Sequence, residues 1–181
     1  MKKLFLFTLI IGLTFTACKK DALDANFTTN ISATSPQIDV NATTNVFAKM
    51  TNVGTYSQSF EVSLKNADTQ DYLNKLKDLD LSNVKLQFSG LSGLASNATD
   101  TDLTVTIDNQ ITFHYTDFKY SEVANGQDFS LVDNQKIAEI ASLLLNHKKI
   151  TVKVEGTIPD SATYHFFIKF LAKAKVTAEA I

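Results

Sequence analysis

The chain has 181 residues, with 17 lysines and no arginine against 19 acidic residues, for a formal charge of −2. It therefore lacks the basic excess and the guanidinium forks on which nucleic-acid recognition and clamped-phosphate sites rest. A single cysteine excludes an internal disulfide, and with 13 phenylalanines, 5 tyrosines and no tryptophan, the core is led by phenylalanine and any sugar stacking falls to Tyr or Phe.

Met1-Lys2-Lys3 is a cationic start, and Leu4 to Leu13 is an almost unbroken apolar run that thins into Thr14-Phe15-Thr16-Ala17 and stops at Cys18. That order of charge, grease and small residues is the order of a secretory signal. Leu4 to Ala17 is 14 residues, against the roughly 20 that a membrane-spanning helix needs, so residues 1–17 read as a cleaved signal peptide. Their removal leaves 164 residues, one domain's worth, with 15 lysines against 19 acidic residues and a formal charge of −4.

Phe15-Thr16-Ala17-Cys18 resembles the lipobox of bacterial lipoproteins, with Phe15 where Leu is usual. In that family signal peptidase II cuts before a cysteine whose sulfur already carries a diacylglyceryl group. The resemblance implies lipidation of Cys18 and lasting attachment to a membrane, because two or more acyl chains hold a protein where one does so only marginally. Lys19 to Ala25 then reads as a tether, within a lipidated segment 18–25, and residues 26–181 as a single β-rich domain. The Lys-Lys-Asp after the cysteine is similar to the charged start of lipoproteins from the Bacteroidota, which implies the outer membrane of a Gram-negative bacterium, on its periplasmic or its surface face.

Beyond Asn26 the signal is alternation. Phe27, Thr29, Ile31 and Ala33 share one side of an extended segment, which Pro36 breaks before Ile38-Asp39-Val40 resumes it. Phe60, Val62 and Leu64 point one way within Ser57 to Lys65. Asp68 reads as a helix N-cap, and Leu73, Leu76 and Leu79, three apart, predict a short helix. Val84, Leu86 and Phe88 alternate and stop at Gly90; residues 89–101 read as a loop. Leu103, Val105 and Ile107, a turn at Asp108-Asn109, then Ile111, Phe113 and Tyr115 predict a hairpin. After Phe129 and Leu131, Asp133 is a second N-cap, and Ile137, Ile140, Ala141 and Leu144 form the stripe of a helix with His147-Lys148-Lys149 at its negative end. Ile150, Val152 and Val154 make a strand stopping at Gly156, Ile158 to Ser161 a turn, and Tyr164 to Val176 a long strand with His165, Lys169, Lys173 and Lys175 on its wet side.

Asp68 corresponds to Asp133, and the run ending at Gly90 to the run ending at Gly156, an offset of 65 to 66 residues that duplication would explain. Together these elements predict a mainly β (α+β) fold. The sheets are antiparallel, in a two-sheet sandwich or one curved sheet of about eight to ten strands with two short helices. The later part of the chain is similar in pattern to uncharacterised β-sandwich lipoproteins of Bacteroidota.

Candidates for chemistry are sparse. His114, His147 and His165 have no ligand spacing, and His114 and His165 fall on wet faces. Asp100 and Asp102 place two carboxylates in one loop as weak candidates for calcium, without the glycine and distal glutamate of a calcium loop. Ser89-Gly90-Leu91-Ser92-Gly93 misses the Gly-x-Ser-x-Gly spacing of a nucleophile elbow. Asp160-Ser161-Ala162 is similar to the O-glycosylation motif of Bacteroidota and makes Ser161 a possible glycan site. Asn26, Asn30, Asn41 and Asn97 fit Asn-x-Ser/Thr, which matters only in a eukaryotic secretory route. The expectation is a lipid-anchored envelope protein with no catalytic residues, cofactor, metal or nucleic-acid partner. Its domain would bind or scaffold something, possible partners including an envelope protein complex. The alternatives are a carrier of an apolar ligand in a β-lined cavity and an envelope hydrolase.

Overall fold

The computed structural model describes residues 24–40, 54–91, 101–124, 127–158 and 163–180. Nine strands and two helices lie among them. In chain order they are β1 (Asp24–Thr34), β2 (Ile38–Val40), β3 (Gly54–Ser63), β4 (Leu76–Ser89), β5 (Thr101–Ile107), β6 (Ile111–Phe118), α1 (Tyr120–Ala124), β7 (Phe129–Ser130), α2 (Asn134–His147), β8 (Lys149–Ile158) and β9 (Tyr164–Glu179). They form two antiparallel sheets, one ordered β1-β9-β4-β7 with β2 also on β9, the other β3-β8-β5-β6. This is a β-sandwich, as the alternation predicts.

β9 is the spine of the first sheet. Its even-numbered residues from Tyr164 to Ala178 are all buried, and Phe166 and Phe170 are the largest fully buried side chains in the core. They share one hydrophobic cluster with Val152 and Val154 of β8 and with Leu103 and Val105 of β5, so the two inner faces make a single core. β1 and β2 also contact β3, closing one side of the sandwich, while α2 packs on β4, β8 and β6 at the other.

The strand edges are irregular where the sequence demands it. β1 pairs with β9 up to Thr34↔Lys169, and β2 resumes at Ile38↔Phe166, four residues along one strand against three along the other. Proline at position 36 has no N–H to give to the ladder. Ser35 keeps the edge joined instead: its N–H donates to the Ile168 carbonyl at 2.8 Å, and its Oγ accepts from the Ile168 N–H at 3.0 Å.

Two sequence expectations are corrected. The helix predicted over Leu73, Leu76 and Leu79 does not form: residues 67–75 are turns and β4 begins at Leu76. β4 carries bulges between Leu76 and Asp78 and between Ser82 and Lys85, the second at Asn83 with φ 51°. Each bulge inserts one residue, so Leu76 and Leu79, and again Leu81 and Val84, come to one face three apart and imitate a helical step. Asp68 caps no helix; its carboxylate accepts from the Thr29 hydroxyl at 2.7 Å. The second short helix is instead α1, at Tyr120–Ala124.

Of the two stretches related by the 65 to 66 residue offset, only the one after Asp133 carries a helix, since residues 67–75 are turns, and their strands β4 and β8 lie in different sheets. Asp133, by contrast, caps α2 as expected, accepting from the Lys136 N–H at 3.1 Å, and Lys148 closes the helix at φ 63°. The hairpin β5–β6 turns at Asp108 and Asn109, both at positive φ. β1 starts at Asp24, so Asp24 and Ala25, expected in the segment 18–25, lie in a strand. No helix among the described residues is long and apolar enough to cross a membrane.

Candidate functional site

Cys18, Ser161 and Asp100 lie outside the described residues. Asp102 stands on β5 and is exposed. Among the described residues no three His, Cys, Asp or Glu side chains gather as a group able to hold a metal ion.

The three histidines are dispersed. His165, on the outer face of the first sheet, pairs through Nδ1 with Asp39 at 2.5 Å; His147, at the end of α2, lies 3.9 Å from Asp108; His114, on the outer face of the second sheet, shares a 3.0 Å hydrogen bond with the Thr104 hydroxyl. Nucleophilic catalysis needs a hydroxyl, a base and an orienting acid in one chain of hydrogen bonds. Here histidine with acid and histidine with hydroxyl stand on different surfaces. Gln37 and then His165 hold the Asp39 carboxyl below its ordinary value, which keeps it an anion.

The second sheet's outer face carries a polar row set by strand register: Ser57 on β3 opposes Glu155 on β8, Glu155 opposes Thr104 on β5, and Thr104 opposes His114 on β6. With Asp102 and Thr157 they line an open cleft of about 430 Å³. Lys153 at 2.8 Å and Ser57 at 3.1 Å hold the Glu155 carboxyl below its ordinary value, Lys153 the more strongly. An ionised, hydrogen-bonded carboxylate among hydroxyls is an acceptor surface, suited to holding polar groups rather than to donating a proton. His114 also borders a second cleft of about 450 Å³, over the edge of β6, between Tyr115, Phe118, Lys119, Glu122 and Phe129.

Beneath these clefts lies a feature that sequence reasoning missed. The Tyr56 and Tyr120 hydroxyls meet at 2.8 Å inside the core, one from β3 and one from α1. Gly156 makes room for them: a Cβ there would stand 2.2 Å from the Tyr120 oxygen and 2.7 Å from that of Tyr56. β8 does not stop at this glycine, as the sequence suggests, but runs on to Ile158. The available signal was phase, because Gly156 falls on the inward parity of Ile150, Val152 and Val154. Around the pair, Phe166 stacks edge-on against Tyr56 at 5.2 Å and Phe118 against Tyr120 at 4.7 Å, and Phe129 carries the chain of rings out to Tyr115 at the cleft.

Burial pushes both phenols well above their ordinary values, and for Tyr56 the neighbouring Tyr120 adds to the rise. The unfolded chain, with phenols near pH 10, ionises first. Stability is therefore whole below about pH 10 and falls as the pH rises toward the folded-state values, by about 1.4 kcal/mol per pH unit for each phenol. Tyr56→Phe leaves a buried hydroxyl on Tyr120 without its partner, at a cost of about 1–3 kcal/mol. The Tyr56→Phe/Tyr120→Phe double variant should cost less than the sum of the singles and show a shallower alkaline slope, both read by denaturant unfolding between pH 8 and 11. Additive losses, or an unchanged slope, would show that the pair does not act as a unit.

The fold and this surface define a two-sheet antiparallel β-sandwich with a polar row on the outer face of its second sheet. No family model and no curated protein matches the sequence. Among solved structures, the decameric BFDV capsid protein is similar at 10% identity with a TM-score of 0.42, over 84% of this chain and 99% of that one, a likeness too distant to carry an argument.

Proposed function

We propose that this is a lipid-anchored cell-envelope protein, held at the outer membrane through an acylated Cys18 and presenting a non-enzymatic binding or scaffolding domain. The observation that carries the reading is the single cysteine placed directly after the Leu4 to Ala17 run and its small residues Thr16 and Ala17. Support comes from the spacing: the first strand begins at Asp24, six residues after Cys18, so the link is short, at most about 20 Å when extended. The polar row Ser57–Glu155–Thr104–His114 is the surface suited to a hydrogen-bonding ligand or partner. Cells fed a palmitate analogue test the anchoring: wild-type protein takes up label and sediments with membranes, whereas Cys18→Ala takes up none and loses the lipid-dependent fraction. Equal labelling of the two overturns the reading.

A further inference from the structure

The head of β1 and the turns that follow β3 border a cleft of about 420 Å³ that neither the anchor nor the polar row employs. Ala25 and Phe27 continue the inward parity of Thr29 and Ile31, but at this end of the sandwich Phe27 is only half-buried. It meets the half-buried ring of Tyr72 at 5.3 Å, with 43° between the planes. Both rings line the cleft, and Asp68 lies beside them. Neutral groups fix that carboxylate in place. Thr29, buried on β1, donates to Asp68 Oδ2 at 2.7 Å, and the Asn66 side chain braces both residues, donating to the Thr29 hydroxyl at 2.9 Å and accepting from the Asp68 N–H at 2.9 Å.

We infer that this cleft binds a substituted ammonium group, free or carried on a lipid headgroup. Asp68 supplies the counter-charge, and Phe27 and Tyr72 supply aromatic walls, the combination that holds alkylammonium ions where water is partly excluded. Its lining residues include no basic side chain, and no lysine among the described residues pairs with Asp68, whereas Glu61, Asp128 and Glu155 each have a lysine of their own. The neighbouring ammonium groups are engaged elsewhere: Lys77 by Asp24 at 2.6 Å and Glu179 at 3.6 Å, while Lys175, across from Thr28, stands across from Asp80 as well. Other occupants fit less well. An anion would meet Asp68 with no cation to offset it, and an alkane would strip water from the carboxylate without replacing its hydrogen bonds. A bare calcium ion needs six or more oxygens, and no group of three acids or histidines gathers among the described residues. Two rings set at a tilt suit a compact, methylated or primary ammonium rather than the flat face of a sugar.

Amide NMR of isotope-labelled full-length protein in maltoside micelles, titrated with choline and with its uncharged isostere 3,3-dimethyl-1-butanol, tests the site. Choline should shift residues 25–28 and 66–72 saturably, and the isostere should leave them in place. Asp68→Asn removes the charge and Tyr72→Leu removes a ring, and each should weaken choline binding by about 10-fold. Tyr72→Trp, which offers the stronger cation acceptor, should tighten it, an effect that a merely structural role for the residue would not produce. Phosphatidylglycerol nanodiscs with and without phosphatidylethanolamine separate the two sources. A choline response abolished only where phosphatidylethanolamine is present marks a lipid-borne ammonium, a response that survives in both marks a free amine, and either supports the site. Equal shifts from choline and its isostere, no shifts from choline, or unchanged affinity in both Asp68→Asn and Tyr72→Leu overturn it. Cys18→Ala protein should bind choline as wild type does, so failure of the anchor and failure of the site are read separately.

Discussion

Gly156→Ala lowers the stability of the domain by about 3 kcal/mol, the upper part of the range for overpacking a close-packed interior. The new methyl would lie 2.2 Å from the Tyr120 oxygen and 2.7 Å from that of Tyr56, so at least one ring must move. Neither can move freely, since Tyr56 packs on Phe166 and Tyr120 on Phe88 and Phe118. For a domain of this size the loss corresponds to a melting point lower by about 6–12 °C. Adding Tyr120→Phe removes the nearest atom and should restore part of the loss, although Tyr120→Phe alone is destabilising. Urea unfolding of the three variants reads this sign reversal; a Gly156→Ala protein as stable as wild type would mean that the hydroxyl pair is not packed as described.

Phe166→Ala should cost about 3–5 kcal/mol, as large-to-small changes in a core do when the hole cannot collapse. The ring is fully buried on the spine strand, edge-on to Tyr56 at 5.2 Å and stacked on Phe88 at 6.1 Å, so its loss leaves both neighbours facing a void. Phe167→Ala, one position along and on the outer face, should change stability by less than about 1 kcal/mol. Thermal unfolding of the pair checks the inward and outward alternation of β9 directly; similar losses for both would contradict the assigned register.

What the sequence made legible was periodicity. The run from Tyr164 to Val176 and the β5–β6 hairpin follow from strict alternation with turn residues between, and Asp133 marks its helix because the cap is a local hydrogen bond. β4 was half hidden because bulges shift the phase of its leucines, and nothing in Leu73, Leu76 and Leu79 distinguishes a bulged strand from a helical turn. α1 is five residues long, too short for a stripe. The tyrosine pair was out of reach for another reason: Tyr56 and Tyr120 are 64 positions apart, and only the fold brings Gly156 between them. The polar row on the second sheet depends in the same way on four strands pairing in one register, whereas the lysine row of β9 can be read from a single strand. The lipobox-like run of residues 15–18 is linear and owes nothing to the fold.

An acylated sulfur at Cys18 is the claim on which the proposed location depends. Mass spectrometry of the N-terminal peptide from protein extracted out of native membranes measures it most directly. The predicted result is a chain beginning at Cys18 and heavier than its sequence by a diacylglyceryl group, with or without a further acyl chain on the amino group. A peptide with a free Cys18 thiol, or a mature chain beginning at any other residue, would contradict it.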